Sequence, residues 1–170
     1  MNERFVVFDL ETTGLCPQRG DRIIEVGAVL VENDLTQKEF HSFINPGKAI
    51  SKAAQKIHGI NIEMLTGQPA SEAVLNKFKS FISSSVLISH NASFDMKFLR
   101  YEFSRLGLCL TNKAICTMKI SREIFPDLPD YRLETVYRYA TGNPFEKIKI
   151  HRALDDARLV AKIWMKLMRE

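Results

Sequence analysis

The chain has few cysteines and no long apolar run, and both absences limit what it can be. Its 170 residues include three cysteines and no CxxC pair, which argues against a disulfide framework and against a structural zinc site. Because it lacks any run of roughly 18 apolar residues, no membrane-spanning helix is expected. The N-terminus also lacks the basic start, apolar stretch and cleavage site of a secretory signal. We therefore expect a cytoplasmic protein with reduced thiols and no membrane partner.

No internal repeat, low-complexity tract or long linker divides the sequence. A chain of 170 residues is long enough for one domain with a sizeable core and short for two. We therefore expect a single domain over residues 1–170. The formal net charge of +4 is compatible with binding to nucleic acid but does not establish it.

The order of hydrophobic patterns predicts a mixed α/β sheet. Three strand patterns joined by short turns, the first at residues 5–10, indicate an antiparallel meander. After residue 47, short apolar strands at 86–89 and 114–117 alternate with helical patterns. These patterns cover residues 71–83, with Ser71 as a candidate N-cap, and residues 93–106, 117–124, 131–140 and 152–168. A meander followed by this alternation predicts one sheet with helices on its faces.

Carboxylates come at the ends of two predicted strands. Asp9 and Glu11 are two residues apart on the first strand, so their side chains share a face just before the Thr-Thr-Gly break. Asp95 opens the helix that follows the strand at 86–89. If this strand is a neighbour of the first, Asp95 lies at the same edge of the sheet as Asp9 and Glu11. Simpler explanations remain open, since the first pair could be solvated and Asp95 could interact only with the helix dipole.

The last helix contributes a further acid and a histidine. Asp156 falls beside the apolar stripe of this helix, whereas Asp155 points towards solvent. A half-buried carboxylate needs a partner, either a metal ion or a salt bridge to Arg152 or Arg158. His151 is either a capping or surface residue or a base that deprotonates water. Oxygen ligands without a cysteine cluster favour Mg²⁺ or Mn²⁺, and two such ions can support phosphodiester hydrolysis.

Three segments, FDLETTGL, HNASFD and YRLETV…HRALDDA, resemble the motifs of the DEDDh (DnaQ-like) exonuclease family. The resemblance covers residues 5 to about 165 and is closest to the branch of proofreading ε subunits of bacterial DNA polymerase III. It implies an α/β ribonuclease H-like fold, a five-stranded mixed sheet flanked by helices. It also implies a 3′→5′ exonuclease that releases nucleoside 5′-monophosphates from single-stranded or frayed DNA ends, in proofreading or repair.

The resemblance implies a role for each site residue. Asp9, Glu11, Asp95 and Asp156 would hold two Mg²⁺ or Mn²⁺ ions, and His151 would be the general base. Weaker matches suggest substrate contacts, with turn chemistry or helix capping as the alternative, from Thr12, Thr13, Gly14, Leu15, His58 and Asn91. If their segment is helical, three lysines share one face: Lys48, Lys52 and Lys56. A solvated lysine face is the simpler explanation, and contact with the phosphates of a strand is the alternative. Further basic residues could add to such contacts: Arg19, Arg22, Lys147, Lys149 and Arg152.

The sequence leaves substrate and partner open. The same family includes exoribonucleases of the RNase T and oligoribonuclease types, so RNA is the alternative to DNA. A non-catalytic polymerase-docking or nucleic-acid-binding module is the alternative from another class, although all five site residues are present. A DNA polymerase III catalytic subunit is a candidate partner. Nothing after Glu170 resembles the polymerase-binding tail of ε subunits, so a stand-alone exonuclease or an excised domain is equally possible.

Overall fold

A computed structural model describes residues 4–144 and 151–169. In these residues the chain forms a sheet of five strands with helices on its faces. The strands are β1 (Arg4–Thr12), β2 (Ile23–Glu32), β3 (Leu35–Phe43), β4 (Val86–Ser89) and β5 (Ala114–Cys116). The helices are α1 (Lys52–His58), α2 (Ile62–Leu65), α3 (Ser71–Ile82), α4 (Ala92–Arg105), α5 (Thr117–Ile124), α6 (Leu133–Thr141) and α7 (Ala153–Leu167).

The sheet has the strand order β3-β2-β1-β4-β5. Strands β1, β2 and β3 are antiparallel neighbours, whereas β4 runs parallel to β1 and β5 parallel to β4. The turn between β2 and β3 is made by Asn33 and Asp34, both with positive φ, as a tight hairpin between twisted strands requires. The predicted mixed sheet of ribonuclease H-like type is therefore confirmed.

The two faces of the sheet bury different side chains of β1 because alternate residues of a strand point in opposite directions. Val6, Phe8 and Leu10 belong to the core that includes residues of α3 and α4. Val7 lies on the other face, in a cluster with residues of α7 such as Trp164. Asp9 and Glu11 continue the row begun by Val7, so they point to the α7 side of the sheet.

Three expectations about local structure need correction. Ser71 is the first residue of α3 and does not cap it, since Ala70 occupies the N-cap position and the Ser71 hydroxyl accepts from Arg22 Nη2 at 3.1 Å. Helix α6 begins at Leu133, two residues later than predicted, after Arg132 in extended conformation. Lys48 precedes α1, so it shares no helix face with Lys52 and Lys56.

Nothing in the described part of the chain is suited to crossing a lipid bilayer as a helix, because each helix there is too short or too polar.

Candidate active site

The fold brings three of the predicted site acids to one edge of the sheet. The fourth comes from a helix that packs on the face of the sheet. Asp9 and Glu11 lie near the carboxyl end of β1, opposite Gly27 and Glu25 of β2. Asp95 is in the first turn of α4, directly after β4, and β4 is parallel to β1. Because parallel strands end at the same edge, these three carboxylates meet there.

Asp156 completes this arrangement from α7. Helix α7 packs on the β1–β2 part of the sheet, with Ala157 and Val160 buried beside Val7. Asp156 lies in the first turn of α7 and is 5% exposed. One oxygen each from Glu11 and Asp156 and a ring nitrogen of His151 lie within 4.8 Å of one another. Strand β1, helix α4 and helix α7 therefore supply one acidic cluster.

Burial raises the pKa of all four carboxylates of this cluster, and neighbouring charges of the cluster add to the rise for Asp9 and Glu11. Burial raises the pKa of Glu11 to about 8, and the charge of Asp156 adds to the rise. Burial likewise raises the pKa of Asp156 to about 7 and that of Asp95 to about 7, the latter opposed by a hydrogen bond from Ser89. Burial raises the pKa of Asp9 well above its usual value, and the charges of Asp95 and Asp156 act in the same direction. Four carboxylates cannot all ionise here at neutral pH without a compensating cation.

The cluster also contains an unsatisfied oxygen. Asp156 Oδ2 accepts from the backbone N–H of His151 at 3.1 Å, but Oδ1 is buried without a hydrogen-bond partner among the described residues. Buried polar atoms are rarely left unpaired, and an ion bound there is one explanation for such an atom. The donor set consists mainly of carboxylate oxygens, which suits Mg²⁺ or Mn²⁺. The residues therefore fit a divalent metal site.

The salt-bridge alternative for Asp156 is not what the structure shows. Arg152 donates from Nη2 to Glu25 at 3.0 Å. Arg158 donates to Glu39 at 2.8 Å and to Asp155 at 2.8 Å. The neighbouring Asp155 is thus engaged in an exposed ion pair, while Asp156 points into the cluster, as the helical pattern predicts.

His151 lies at the rim of the cluster, two residues before α7. Its φ of 66° lies in the left-handed region, which is uncommon for a residue other than glycine. Burial lowers the pKa of His151, and the charge of Glu134 opposes this shift. A neutral imidazole at pH 7 is able to accept a proton from water, which is the task of a general base.

The turn after β1 is held by bonds within the protein. The Thr12 hydroxyl donates to the Gly14 carbonyl at 2.6 Å, and the Thr13 hydroxyl accepts from Arg22 N at 3.0 Å. A Cβ on Gly14 would lie 2.4 Å from an oxygen of Asp21, so a larger residue there would have to displace the Asp21 carboxylate. Both threonine hydroxyls are therefore occupied in shaping the turn, and their predicted contact with substrate stays a prediction.

Leu15 differs from these threonines because its side chain is 75% exposed. It borders an apolar slot of about 200 Å³ beside Glu11, which Ile57, His58 and Phe94 also line. Nε2 of His58 lies 3.2 Å from the Thr12 carbonyl, and Nδ1 accepts from Ile60 N at 3.0 Å. Nε2 of His58 thus joins α1 to the end of β1, and Nδ1 holds the chain just after α1.

A larger cleft of about 850 Å³ opens on the other side of His151. Asn91 lines it, as do several residues that sequence reasoning missed: His90, Arg122, Tyr131, Arg132 and Glu134. Arg122 lies over the Tyr131 ring at 5.3 Å, and its side chain and that of Arg132 are on the surface. Arg122 comes from a segment without a family-like motif, whereas Arg132 lies within the YRLETV segment but received no role from the sequence.

Three of the basic residues expected to contact phosphates are paired within the protein. Arg22 forms an ion pair with the buried Glu102 at 2.6 Å, and Arg152 with Glu25. Lys48 binds Gly20 O at 2.6 Å and Asp21 at 3.2 Å. Lys52, Lys56 and Arg19 are exposed, whereas Lys147 and Lys149 lie outside the described residues. The expected lysine face is therefore reduced to two residues of α1.

Comparison with known proteins gives a family match over most of the chain. The sequence profile of the exonuclease family RNase_T matches residues 6–164. The chain is 42% identical over 172 residues to the DNA polymerase III subunit epsilon of Rickettsia typhi, covering 96% of this chain and 73% of that protein. It is 39% identical over 167 residues to the DNA polymerase III PolC-type of Caldanaerobacter subterraneus subsp. tengcongensis, covering 96% of this chain and 11% of that much longer protein.

Among solved structures, a complex of exonuclease X with 5′ overhanging duplex DNA superimposes with a TM-score of 0.77 at 27% sequence identity. The match covers 98% of this chain and 90% of that one.

Proposed function

Since this chain belongs to the exonuclease family RNase_T, whose DEDDh members are metal-dependent 3′→5′ exonucleases, we propose that it trims the 3′ ends of DNA. In this proposal it hydrolyses the terminal phosphodiester of single-stranded or frayed strands and releases nucleoside 5′-monophosphates. The observation that carries the proposal is the cluster of carboxylates with raised pKa values around the unpaired oxygen of Asp156.

The metal ligands in this proposal are Asp9, Glu11, Asp95 and Asp156. Two divalent cations, Mg²⁺ or Mn²⁺, would supply activation of the attacking water and stabilisation of the charge that develops on the leaving 3′ oxygen. Ser89 fixes the Asp95 carboxylate by a hydrogen bond, and the His151 N–H fixes that of Asp156. These two carboxylates are therefore oriented by hydrogen bonds from the protein.

His151 is the proposed general base. Its lowered pKa keeps the ring neutral at pH 7, so it is ready to accept the proton of the attacking water. Its ring nitrogen lies close to oxygens of both Glu11 and Asp156. The water that loses its proton would therefore lie between the base and the cations.

The slot and the cleft give the substrate strand a path past this centre. We assign the terminal base to the apolar slot beside Leu15 and Ile57, where apolar side chains can contact the face of any base. The strand would continue into the cleft beyond His151, where Arg122 and Arg132 can contact phosphates. Thr12, Thr13, Gly14, His58 and Asn91 then shape the borders of this path.

DNA is favoured over RNA by the relatives. Two of them are DNA polymerase III proteins, and a solved structure at 27% identity contains duplex DNA. Proofreading beside a DNA polymerase III catalytic subunit is the corresponding role. The chain covers only 11% of the PolC-type relative, so that partnership is part of the proposal. The cytoplasmic location of the protein stays a prediction from the sequence.

The substrate panel that tests this proposal consists of 5′-labelled single-stranded DNA, RNA of the same sequence, and duplexes with and without a 3′ mismatch, each with Mg²⁺, Mn²⁺ or EDTA. We expect metal-dependent shortening of the DNA and faster trimming of the mismatched than of the matched duplex. An Asp9→Ala variant should abolish cleavage. Equal trimming of RNA and DNA would contradict the proofreading role, and binding without shortening would favour a non-catalytic module.

A further inference from the structure

Glu25 is an additional buried acid beside the cluster, and the proposed chemistry leaves it without a task. It lies on β2 opposite Glu11, and none of its surface is exposed. Its charge raises the pKa values of Asp9, Glu11 and Asp156. Burying one more negative charge among carboxylates that already repel one another is costly. Because burying Glu25 is costly, its presence here indicates that the carboxylate has a structural or functional role.

The contacts of Glu25 account for its charge. It accepts from Arg152 Nε at 3.2 Å and Nη2 at 3.0 Å, and from the backbone N–H of Ala153 at 3.3 Å. His41 Nε2 lies 2.7 Å from the same carboxylate. Burial acts to raise the pKa of Glu25, but the bonds from His41 and Arg152 outweigh it and hold the pKa below its usual value. The acid is thus a fully bonded anion.

These contacts converge on one short piece of chain. Arg152 stands between His151 and Ala153, the first residue of α7. Its guanidinium donates to Glu25 and lies over the Phe43 ring, 4.8 Å from the ring centroid. A fork-shaped arginine held by a carboxylate and an aromatic ring has little freedom to move. Strands β2 and β3 therefore fix the backbone on which His151 is carried.

The same piece of chain packs unusually close to the sheet. A Cβ on Gly27 would lie 2.1 Å from Leu154 N and 2.2 Å from Ala153 C, so only glycine allows this approach. His151 itself has positive φ, a conformation that is disfavoured for a residue with a Cβ. The backbone must be held on both sides of that residue if it is to keep this conformation.

We propose that the Glu25–Arg152 ion pair is a positioning device, which holds the start of α7 so that His151 and Asp156 face Glu11. The inference rests on the proposed function for the roles of His151 and Asp156. Glu25 touches neither substrate nor metal in this account and acts through Arg152. Without the pair, the strained residue relaxes, and the base and one metal ligand move away from their partners.

Helix α7 offers a matched control. Arg158, two turns along the same helix, forms an ion pair of the same chemistry with Glu39 of β3 at 2.7 Å. That pair is 46% and 42% exposed, lies away from His151, and connects the same helix to the same sheet. Glu39→Gln therefore removes a carboxylate–guanidinium contact without loosening the start of α7.

The test compares Glu25→Gln and Glu39→Gln by steady-state cleavage of single-stranded DNA and by Mn²⁺ titration monitored by thermal shift. We expect Glu25→Gln to lower kcat by about 10- to 100-fold and to weaken Mn²⁺ binding by about 10-fold, with KM within about 2-fold. Glu39→Gln should stay within about 2-fold of wild type in all three quantities.

Arg152→Lys keeps the charge and loses the fork, so it should show the same loss of kcat, and it carries the test if Glu25→Gln fails to fold. Equal kcat and equal Mn²⁺ affinity in wild type and both site variants overturn the inference. If wild type binds Mn²⁺ but cleaves neither DNA nor RNA, the proposed function fails. A weaker Mn²⁺ affinity of Glu25→Gln would then still support positioning of Asp156.

Discussion

At the scale of single residues, the main determinant of the site is which charged groups are left without a countercharge. Glu25, Glu102 and Asp155 each have an arginine partner. Asp156 has an oxygen without a partner among the described residues, and the pKa of Glu11 rises to about 8. The same residue types thus separate into structural ion pairs and a cluster suited to cations.

The contrast between Asp155 and Asp156 gives a direct test at this scale. Asp156→Asn should lower kcat by about 100-fold or more, because losing a metal ligand removes several kcal/mol of the stabilisation that the metal gives to the transition state. Asp155→Asn should stay within about 2-fold of wild type, because it breaks only an exposed pair with Arg158. Steady-state cleavage of labelled single-stranded DNA measures both. A reversed order would assign the metal to Asp155.

The sequence predicted where the four acids lie better than it predicted their surroundings, and their role as metal ligands stays a prediction. Periodicity gave the face on which Asp9, Glu11 and Asp156 lie, and the position after a strand gave the location of Asp95. Their common role came from the family resemblance. The partners of Arg22, Arg152 and Lys48 could not be predicted in this way. Each depends on a contact between segments far apart in the chain, such as Arg152 with Glu25. Periodicity carries no information about which distant residue lies opposite.

At the scale of elements, α7 is buried on more sides than its apolar stripe predicted. Ala157 and Val160 pack on the sheet, as expected. A second side of the helix, with Leu159, Ile163 and Leu167, is buried against a cluster that includes Val136 of α6. Sequence reasoning assigned only the sheet-facing stripe, because a helix buried on two sides has no single apolar face. Helix α7 is thus fixed from both sides, as a carrier of site residues requires.

Gly27 tests how closely α7 must approach the sheet. Gly27→Ala places a methyl group against the backbone at the start of α7, so it should destabilise the fold by about 1–3 kcal/mol and also lower kcat. Gly107→Ala is the control, since its Cβ would meet open space and only a positive φ opposes it. It should lower stability with kcat unchanged. Urea unfolding and DNA cleavage distinguish the two, and normal activity in folded Gly27→Ala would contradict the close-packing argument.

At the scale of the whole molecule, the fold buries four carboxylates close together, and burial with added repulsion raises their pKa values. The shared edge of β1 and β4 and the docking of α7 bring together acids that lie far apart in sequence. The order of strand and helix patterns predicted a mixed sheet with helices on its faces, whereas the five-stranded ribonuclease H-like fold was implied by the family resemblance. The expectation of a single domain over residues 1–170 stays a prediction.

The raised pKa values of these buried carboxylates predict a pH dependence of stability. Acids with raised pKa bind more protons when folded, so their contribution to stability is lost as pH rises from about 4 through the folded values of about 7 to 8. The lowered pKa values of His58, His90 and His151 act in the opposite direction, but only below about pH 6.5.

Between about pH 6.5 and 8 the Tm of the metal-free protein should therefore fall, and the rise in Tm caused by Mg²⁺ should grow. Thermal unfolding in EDTA and in excess Mg²⁺ across this range measures both trends. Asp156→Asn should show a shallower dependence in each. An equal slope in that variant would place the titrating groups outside the cluster.

The most direct test of the central claim is the polarity and product of cleavage. An oligonucleotide of single-stranded DNA, labelled at its 5′ end, is incubated with the purified protein and Mg²⁺, and the soluble products are identified by mass. The account predicts a ladder that shortens one nucleotide at a time from the 3′ end, nucleoside 5′-monophosphates as products, and no reaction in EDTA. Internal cuts, release of nucleotides from the 5′ end, or undiminished cleavage in EDTA would contradict it.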